Sequence, residues 1–191
     1  MQPFIALEDP VQPDRAFVFP GQGAQAVGMG KDLYAEYPSA RELYDRADEI
    51  LGFKLSQLCF EGPEDELQQT RNSQPAIAVT SLALLKVATE LNPNLLRKPA
   101  FVAGHSLGEY PALVAAGTLT FDEAIRLLRT RGELMQAAGD KNPGIMAAVL
   151  GLDVPDCEEV CREAGAEICT LNAPGQIVIG GRREAVVRAL D

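Results

Sequence analysis

The chain has 191 residues, of which 47% are hydrophobic and 23% charged, a composition typical of a globular protein with a buried core. Its formal net charge of −10 argues against a general binder of nucleic acids or anionic membranes, because both partners require a basic surface. Residues 1–15 contain acids and prolines and no long apolar run. We therefore expect a loose leader there, and neither a signal peptide nor a membrane anchor.

The first half of the chain alternates strand and helix patterns. Ala16-Phe17-Val18-Phe19 is an apolar β-type run that stops at Pro20-Gly21-Gln22-Gly23, as a buried strand leading into a tight loop does. Helical patterns follow at residues 38–51 and 63–70. Residues 76–91 are apolar on nearly all faces, which predicts a buried helix.

The sequence Gly104-His105-Ser106-Leu107-Gly108 sets a serine between two glycines, where a predicted buried strand at residues 99–104 meets a predicted helix. A strained strand-to-helix turn of this kind exposes a nucleophilic Ser Oγ, and small flanking residues permit it. Ser106 is therefore a candidate nucleophile; the alternative is a serine that merely caps the following helix. The backbone N–H groups of Leu107 and of the Gly21-Gln22-Gly23 loop are candidate oxyanion donors.

A base for this serine is hard to find in the sequence. His105 is the only histidine. Because neighbouring side chains around a strand end diverge, we do not expect His105 to bond Ser106 Oγ. An aspartate base remains possible, although no acidic residue stands out.

Residues 121–138 predict an amphipathic helix, with an apolar stripe formed by Phe121, Ala124, Ile125, Leu128, Gly132 and Met135. Arg131 lies at the edge of this stripe. A buried guanidinium requires an anion, which either the protein or a ligand supplies. A salt bridge or a side chain that reaches out to solvent is the structural alternative to a ligand site.

Residues 144–191 change to short elements in the order βαββα, one strand short of a ferredoxin-like unit. We expect residues 16–139 to form a larger subdomain and residues 144–191 a smaller one. Because a sheet that lacks a strand leaves an exposed edge, we expect the sequence to be cut rather than finished. The four cysteines, Cys59, Cys157, Cys161 and Cys169, lack metal-binding spacing, and we expect reduced structural thiols in a cytoplasmic protein.

Several motifs in this order resemble the malonyl-CoA:acyl-carrier-protein transacylases and the acyltransferase domains of polyketide synthases. The motifs are FVFPGQGAQAVGMG (17–30), RNSQPA (71–76), AGHSLGEYPALVAAG (103–117), RTRGELMQ (129–136), MAAVLGL (146–152) and LNAPGQIVIGG (171–181). The resemblance implies an α/β fold, with a three-layer, hydrolase-like parallel-sheet subdomain and an incomplete ferredoxin-like βαββα subdomain.

The resemblance also implies roles for residues at matching positions. Ser106 would become a malonyl ester, Gln22 and Leu107 would supply oxyanion N–H groups, and Arg131 would bind the malonyl carboxylate. His105, Gln74 and Asn172 match positions that line the family's active site. No metal or redox cofactor is implied, since the phosphopantetheine thiol belongs to the acyl carrier protein.

The family's catalytic histidine follows the ferredoxin-like subdomain, and no residue of this sequence matches it. We therefore expect the chain to be the N-terminal piece of a longer protein, with little or no turnover on its own. The implied partners are malonyl-CoA and an acidic acyl carrier protein, docked on a local cluster such as Arg182, Arg183 and Arg188, with the enzyme a monomer. A patatin- or esterase-like hydrolase and a non-catalytic, carrier-binding remnant are the alternatives.

Overall fold

The computed structural model describes residue 4, residues 10–93 and residues 97–191. The chain divides into two compact units, Met1–Gln136 and Ala137–Asp191. Each combines helices with a small sheet, so the predicted α/β class is confirmed. Most of the predicted leader, residues 1–15, lies outside the described residues.

Two parallel strands, β1 (Gln12–Phe19) and β2 (Pro99–Gly104), form the sheet of the first unit. Their register sets Phe17 beside Val102 and Phe19 beside Gly104. The carboxyl ends of the two strands therefore meet at one edge of the sheet. β1 begins at Gln12, within the predicted leader. The prediction placed its start later because the first residues of the strand are polar and carry no apolar strand signal.

The described residues of the first unit form six helices and the beginning of a seventh. They are α1 (Lys31–Glu36), α2 (Pro38–Leu51), α3 (Leu55–Glu61), α4 (Glu64–Gln68), α5 (Thr70–Leu91), α6 (Glu109–Ala115) and α7 (Phe121–Lys141). α7 begins in the first unit and ends in the second. The prediction for α2 is confirmed at both ends. α7 extends to Lys141 rather than ending near residue 138.

α5 is the central helix of the first unit, and α2, α3, α4 and α6 pack against it. It begins at Thr70, six residues before the predicted start. The prediction missed the first turns because they are polar and Pro75 obscures their helical pattern. Its residues from Asn72 to Val79 are buried, whereas Leu84 and Leu91 in the later turns are exposed. The prediction of burial on nearly all faces is therefore wrong for the second half of α5.

The two strands are buried on one face only. Phe19 is buried against Ala112 and Ala115 of α6, with Val102 packed beside them. On the other face, Val18 is 75% exposed and Phe101 is 73% exposed. The expectation of buried strands is thus wrong for this face, since α6 covers only one side of a sheet whose side chains alternate.

The second unit has the predicted βαββα order, namely β3 (Ile145–Leu150), α8 (Val154–Ala164), β4 (Glu167–Ala173), β5 (Gln176–Gly181) and α9 (Arg183–Leu190). β5 lies in the centre of an antiparallel sheet of order β3-β5-β4. Ile177 and Ile179 of β5 pack with Val186 of α9 in the core of this unit. Among the described residues, no helix is long and apolar enough to cross a membrane.

The cysteines are free, and three of them are buried. Burial raises the pKa of the Cys59 thiol to about 12, so it stays protonated and unreactive. Cys157 and Cys161 lie in the core of the second unit. Cys169 is exposed.

Candidate active site

Ser106 is separated from the end of β2 by His105 alone, and is the first residue of a short 3-10 helix (Ser106–Gly108) that leads into α6. Its φ of 53° is the one positive value among the described non-glycine residues. Such a conformation is uncommon for a residue with a Cβ and is a source of strain. The turn therefore has the geometry of a nucleophile elbow, and the Ser106 side chain is exposed.

The two glycines of the motif permit close packing on either side of Ser106. A Cβ on Gly104 would collide with the backbone of Gly108. A Cβ on Gly108 would lie 2.5 Å from the carbonyl oxygen of Phe19, at the end of the neighbouring strand. Larger side chains at these positions would push β2, α6 and β1 apart, which explains why the motif requires glycine.

The loop after β1 packs against this elbow. The His105 backbone N–H donates to Phe19 O over 3.0 Å, and a Cβ on Gly21 would collide with the His105 ring. Buried Gln25 holds the loop, since its Oε1 accepts from the Gly23 N–H over 2.8 Å and its amide donates to Gln68. Because β1 and β2 are parallel neighbours, the loop that carries Gln22 and the turn that carries Leu107 meet at the same edge.

The side chains of Gln22 and His105 take no part in a bond to the serine. The Gln22 amide donates to Thr70 Oγ1 over 3.2 Å, at the start of α5. Among the described residues, Ser106 Oγ has one hydrogen-bond partner, and it is not His105. This agrees with the expectation that His105 and Ser106 diverge. The roles of Gln22 and Leu107 as oxyanion donors stay predictions.

Arg131 is the partner of the serine. Its Nη2 donates to Ser106 Oγ over 3.0 Å, and its Nη1 donates to Gln74 Oε1 over 2.6 Å. Both acceptors are neutral, and none of the described carboxylates forms an ion pair with Arg131. The described part of the chain therefore gives no support to the salt-bridge alternative, and the half-buried guanidinium lies beside the exposed serine.

Gln74 and Met135 complete this cluster. Gln74 is fully buried on α5, and its Nε2 donates to Met135 Sδ over 3.3 Å while its oxygen accepts from Arg131. Both ends of the Gln74 amide are thus engaged, which fixes its orientation toward Arg131. Met135 is 45% exposed, so its predicted place in the buried stripe of α7 is wrong. It lies at the edge of the site instead.

A close crossing of α5 and α7 brings these side chains together. A Cβ on Gly132 would lie 2.7 Å from both Arg71 Cα and Thr70 O. Pro75 has no N–H to bond the carbonyl of Arg71 one turn earlier, and Arg129 Nη1 donates to that carbonyl over 3.1 Å instead. Arg129 therefore compensates for the proline and fixes the first turns of α5 against α7.

Arg129 is the residue that sequence reasoning missed. It also donates to Asn72 Oδ1 over 2.8 Å and lies over the ring of Phe53. Because the proline four residues after Arg71 cannot bond the Arg71 carbonyl, the sequence indicates that another donor is needed there. The fold that supplies the donor was not detectable from local spacing.

Asn172 lies in the second unit, on β4, where its side chain is exposed. Its role in the site stays a prediction. The described residues contain no group of three or more His, Cys, Asp or Glu side chains that could hold a metal ion.

Residues 16–190 match the family model described as "Acyl transferase domain". The chain belongs to this family. It is 48% identical over 181 residues to a malonyl CoA-acyl carrier protein transacylase of Bacillus subtilis, a match that covers 92% of this chain and 56% of that protein. The chain thus spans little more than half the length of this relative.

Solved structures of the same family share the fold. The acyl-carrier-protein-S-malonyltransferase of Bartonella henselae has a TM-score of 0.84 and 47% identity, over 92% of this chain and 57% of that one. A malonyl-transacylase in complex with its type II PKS acyl-carrier protein has a TM-score of 0.83 and 42% identity, over 91% of this chain and 57% of that one. The predicted combination of a hydrolase-like unit with a βαββα unit is therefore confirmed.

Proposed function

We propose that this chain carries the acyl-accepting site of a malonyl transferase. Ser106 takes a malonyl group from malonyl-CoA and passes it to the phosphopantetheine thiol of an acyl carrier protein. One observation carries the proposal, namely the contact of the Arg131 guanidinium with Ser106 Oγ in the absence of a described carboxylate partner.

The reaction has two matched steps. Ser106 Oγ attacks the thioester carbonyl of malonyl-CoA, so that a C–O bond forms and the C–S bond breaks. A base takes the proton of the hydroxyl, and coenzyme A departs as its thiol. The carrier's thiol then attacks the serine ester and restores the hydroxyl. No electrons are gained or lost overall, so the chemistry needs no redox cofactor. The backbone N–H groups of Leu107 and Gln22 are the proposed donors to the oxyanion of each step.

Arg131 supports the choice of a carboxylated acyl group. Of the five N–H donors of a guanidinium, the bonds to Gln74 and Ser106 use two, which leaves donors for a carboxylate. A malonyl group esterified to Ser106 has its free carboxylate within a few atoms of Oγ, where a bidentate pair with Arg131 can form. An acetyl group would leave this cation unpaired and is therefore disfavoured.

The base that takes the serine proton is a separate part of the proposal. Arg131 donates a hydrogen bond to Ser106 Oγ, and no described acceptor contacts the hydroxyl. We infer that the base is the histidine which the family resemblance places after the second unit. On this proposal, the 191 residues bind and orient the acyl group but turn over slowly.

The carrier as acyl acceptor is supported by the related malonyl-transacylase that was solved in complex with its acyl-carrier protein. An esterase-like hydrolase would share the elbow but has no use for a cation against Oγ. The arginine therefore favours transfer of a carboxylated group over generic hydrolysis.

The proposal is tested by the affinities for malonyl-CoA and acetyl-CoA, measured by isothermal titration calorimetry. The unmodified chain should prefer malonyl-CoA, and Arg131→Ala should lower that preference by about tenfold or more, because the carboxylate loses its charged partner. Arg131→Lys should recover only part of it, since an ammonium is a single point charge.

Arg126→Ala is the matched control, since Arg126 is exposed on the same helix and forms none of these bonds. It should leave both affinities unchanged. Equal losses for malonyl-CoA and acetyl-CoA in Arg131→Ala would contradict the carboxylate role.

A further inference from the structure

An open groove of about 800 Å³ lies in the second unit, between the end of α7, strand β3 and the start of α9. Three cations line it, Lys141, Arg182 and Arg183, and all three are exposed. None has a carboxylate partner among the described ion pairs. With Glu184 as the one acid among its described lining residues, the groove therefore has a net positive charge in a chain whose net charge is −10.

The acidic residues of the second unit lie mostly elsewhere. Glu184 is the one acid among the described residues that line the groove. A run of exposed acids instead occupies α8 and its N-cap, namely Asp153, Asp156, Glu158, Glu159 and Glu163. The groove is thus net positive and α8 net negative, which favours an acidic partner at the groove over one at α8.

Arg188 does not line this groove, although it lines a neighbouring one together with Arg182. Its Nη2 donates to Ala164 O over 2.8 Å, at the last residue of α8, so its guanidinium holds two helices together. Lys141, Arg182 and Arg183 are the cations of the groove, and the part of Arg188 in docking stays a prediction.

We propose that the groove lined by Lys141, Arg182 and Arg183 is the docking surface for the acyl carrier protein, whose acidic side would face these cations. This inference rests on the proposed function, because it names where the acceptor of that reaction binds. Met146 of β3, 64% exposed within the groove, supplies an apolar contact between the charges.

A protein partner fits this surface better than the phosphates of coenzyme A do. A built phosphate site converges several donors on one point, commonly backbone N–H groups with a partly buried cation. Here the cations are all exposed on the wall of an open groove. That arrangement steers a large acidic surface and adds little to a single phosphate.

The test compares charge reversals by fluorescence anisotropy, with labelled holo-acyl carrier protein as the probe and the full chain as the receptor. The double variant Arg182→Glu/Arg183→Glu should weaken carrier binding by about tenfold at low salt, because two attractions become repulsions. The loss should shrink as salt is added. Glutamate is well tolerated in the first turn of α9, so folding should persist, as circular dichroism would verify.

Arg162→Glu is the control, since Arg162 is an exposed arginine of the same unit on acidic α8. It should change carrier affinity by less than about twofold. An equal loss in Arg162→Glu, or no loss in the double variant, would overturn the docking surface. A loss of coenzyme A affinity as large as the loss of carrier affinity would also overturn it, because it would assign the groove to the phosphates of coenzyme A.

Malonyl loading of Ser106 in the unmodified chain, followed by mass spectrometry, separates the two proposals. Carrier binding that depends on Arg182 and Arg183 supports the docking surface even if Ser106 never takes up malonyl. Loading of Ser106 with carrier affinity insensitive to both arginines refutes the docking surface and leaves the proposed function standing.

Discussion

Ser106 combines two costs that a purely structural serine would avoid. Its backbone is in the left-handed region, and its hydroxyl faces an arginine without a described counter-ion. A conformation of this kind costs a residue with a Cβ about 1–3 kcal/mol and persists only where the surroundings hold it. Here the packing of Gly104 and Gly108 holds it, and the strain keeps Oγ exposed.

The strain at Ser106 predicts that glycine and alanine substitutions rank in the opposite order of stability there and at an ordinary helix position. Ser106→Gly should be more stable than Ser106→Ala by about 1 kcal/mol, because glycine alone adopts a positive φ without a steric cost. Ser81, in the interior of α5, should rank oppositely, with glycine about 1 kcal/mol less stable than alanine. Urea unfolding of the four variants measures both differences. The same ranking at both positions would show that Ser106 is unstrained.

At the scale of elements, the site depends on how α5 crosses α7. Gly132 allows the two backbones to approach, and Arg129 replaces the hydrogen bond that Pro75 removes. Their contact places Gln74 on α5 within reach of Arg131 on α7. The motif RTRGELM is thus explained by packing as much as by chemistry.

Two glycines of α7 provide a test of this crossing. Gly132→Ala should destabilise the protein by about 1–3 kcal/mol, because its Cβ would press on the backbone of α5. Gly139→Ala, with nothing within 4 Å of the added Cβ, should instead stabilise the helix by about 0.5–1 kcal/mol. Chemical denaturation distinguishes the two. Gly132→Ala with unchanged stability would contradict the close crossing.

Gly132→Ala should also weaken malonyl-CoA binding, since it moves Arg131 away from Gln74. Gly139→Ala should leave that binding unchanged.

The elements also show where sequence reasoning succeeded. The glycines around Ser106, the bounds of helix α2 and the βαββα order are local signals, because each depends on residues close together in the chain. The start of α5 and the role of Arg129 depend on contacts between residues more than fifty positions apart, such as Arg129 with Arg71 and Asn72. Such contacts leave no periodic pattern for a local analysis to detect.

At the scale of the whole molecule, the two units differ in what they contribute. The first unit holds Ser106, Arg131 and Gln74 together. The second unit carries Asn172 and the cationic groove lined by Lys141, Arg182 and Arg183. The apolar runs of β1 and β2 predict buried strands, yet Val18 and Phe101 are exposed. Burial on the second face of a sheet depends on the elements that pack there rather than on the strand itself.

The central claim is that Ser106 accepts a malonyl group which Arg131 holds by its carboxylate. Incubation of the chain with malonyl-CoA at mildly alkaline pH, followed by intact mass and peptide mapping, tests it most directly. We predict one malonyl group, located on Ser106, that is absent in Ser106→Ala and strongly reduced in Arg131→Ala. No adduct, an adduct on another residue, or equal labelling by acetyl-CoA would contradict the claim.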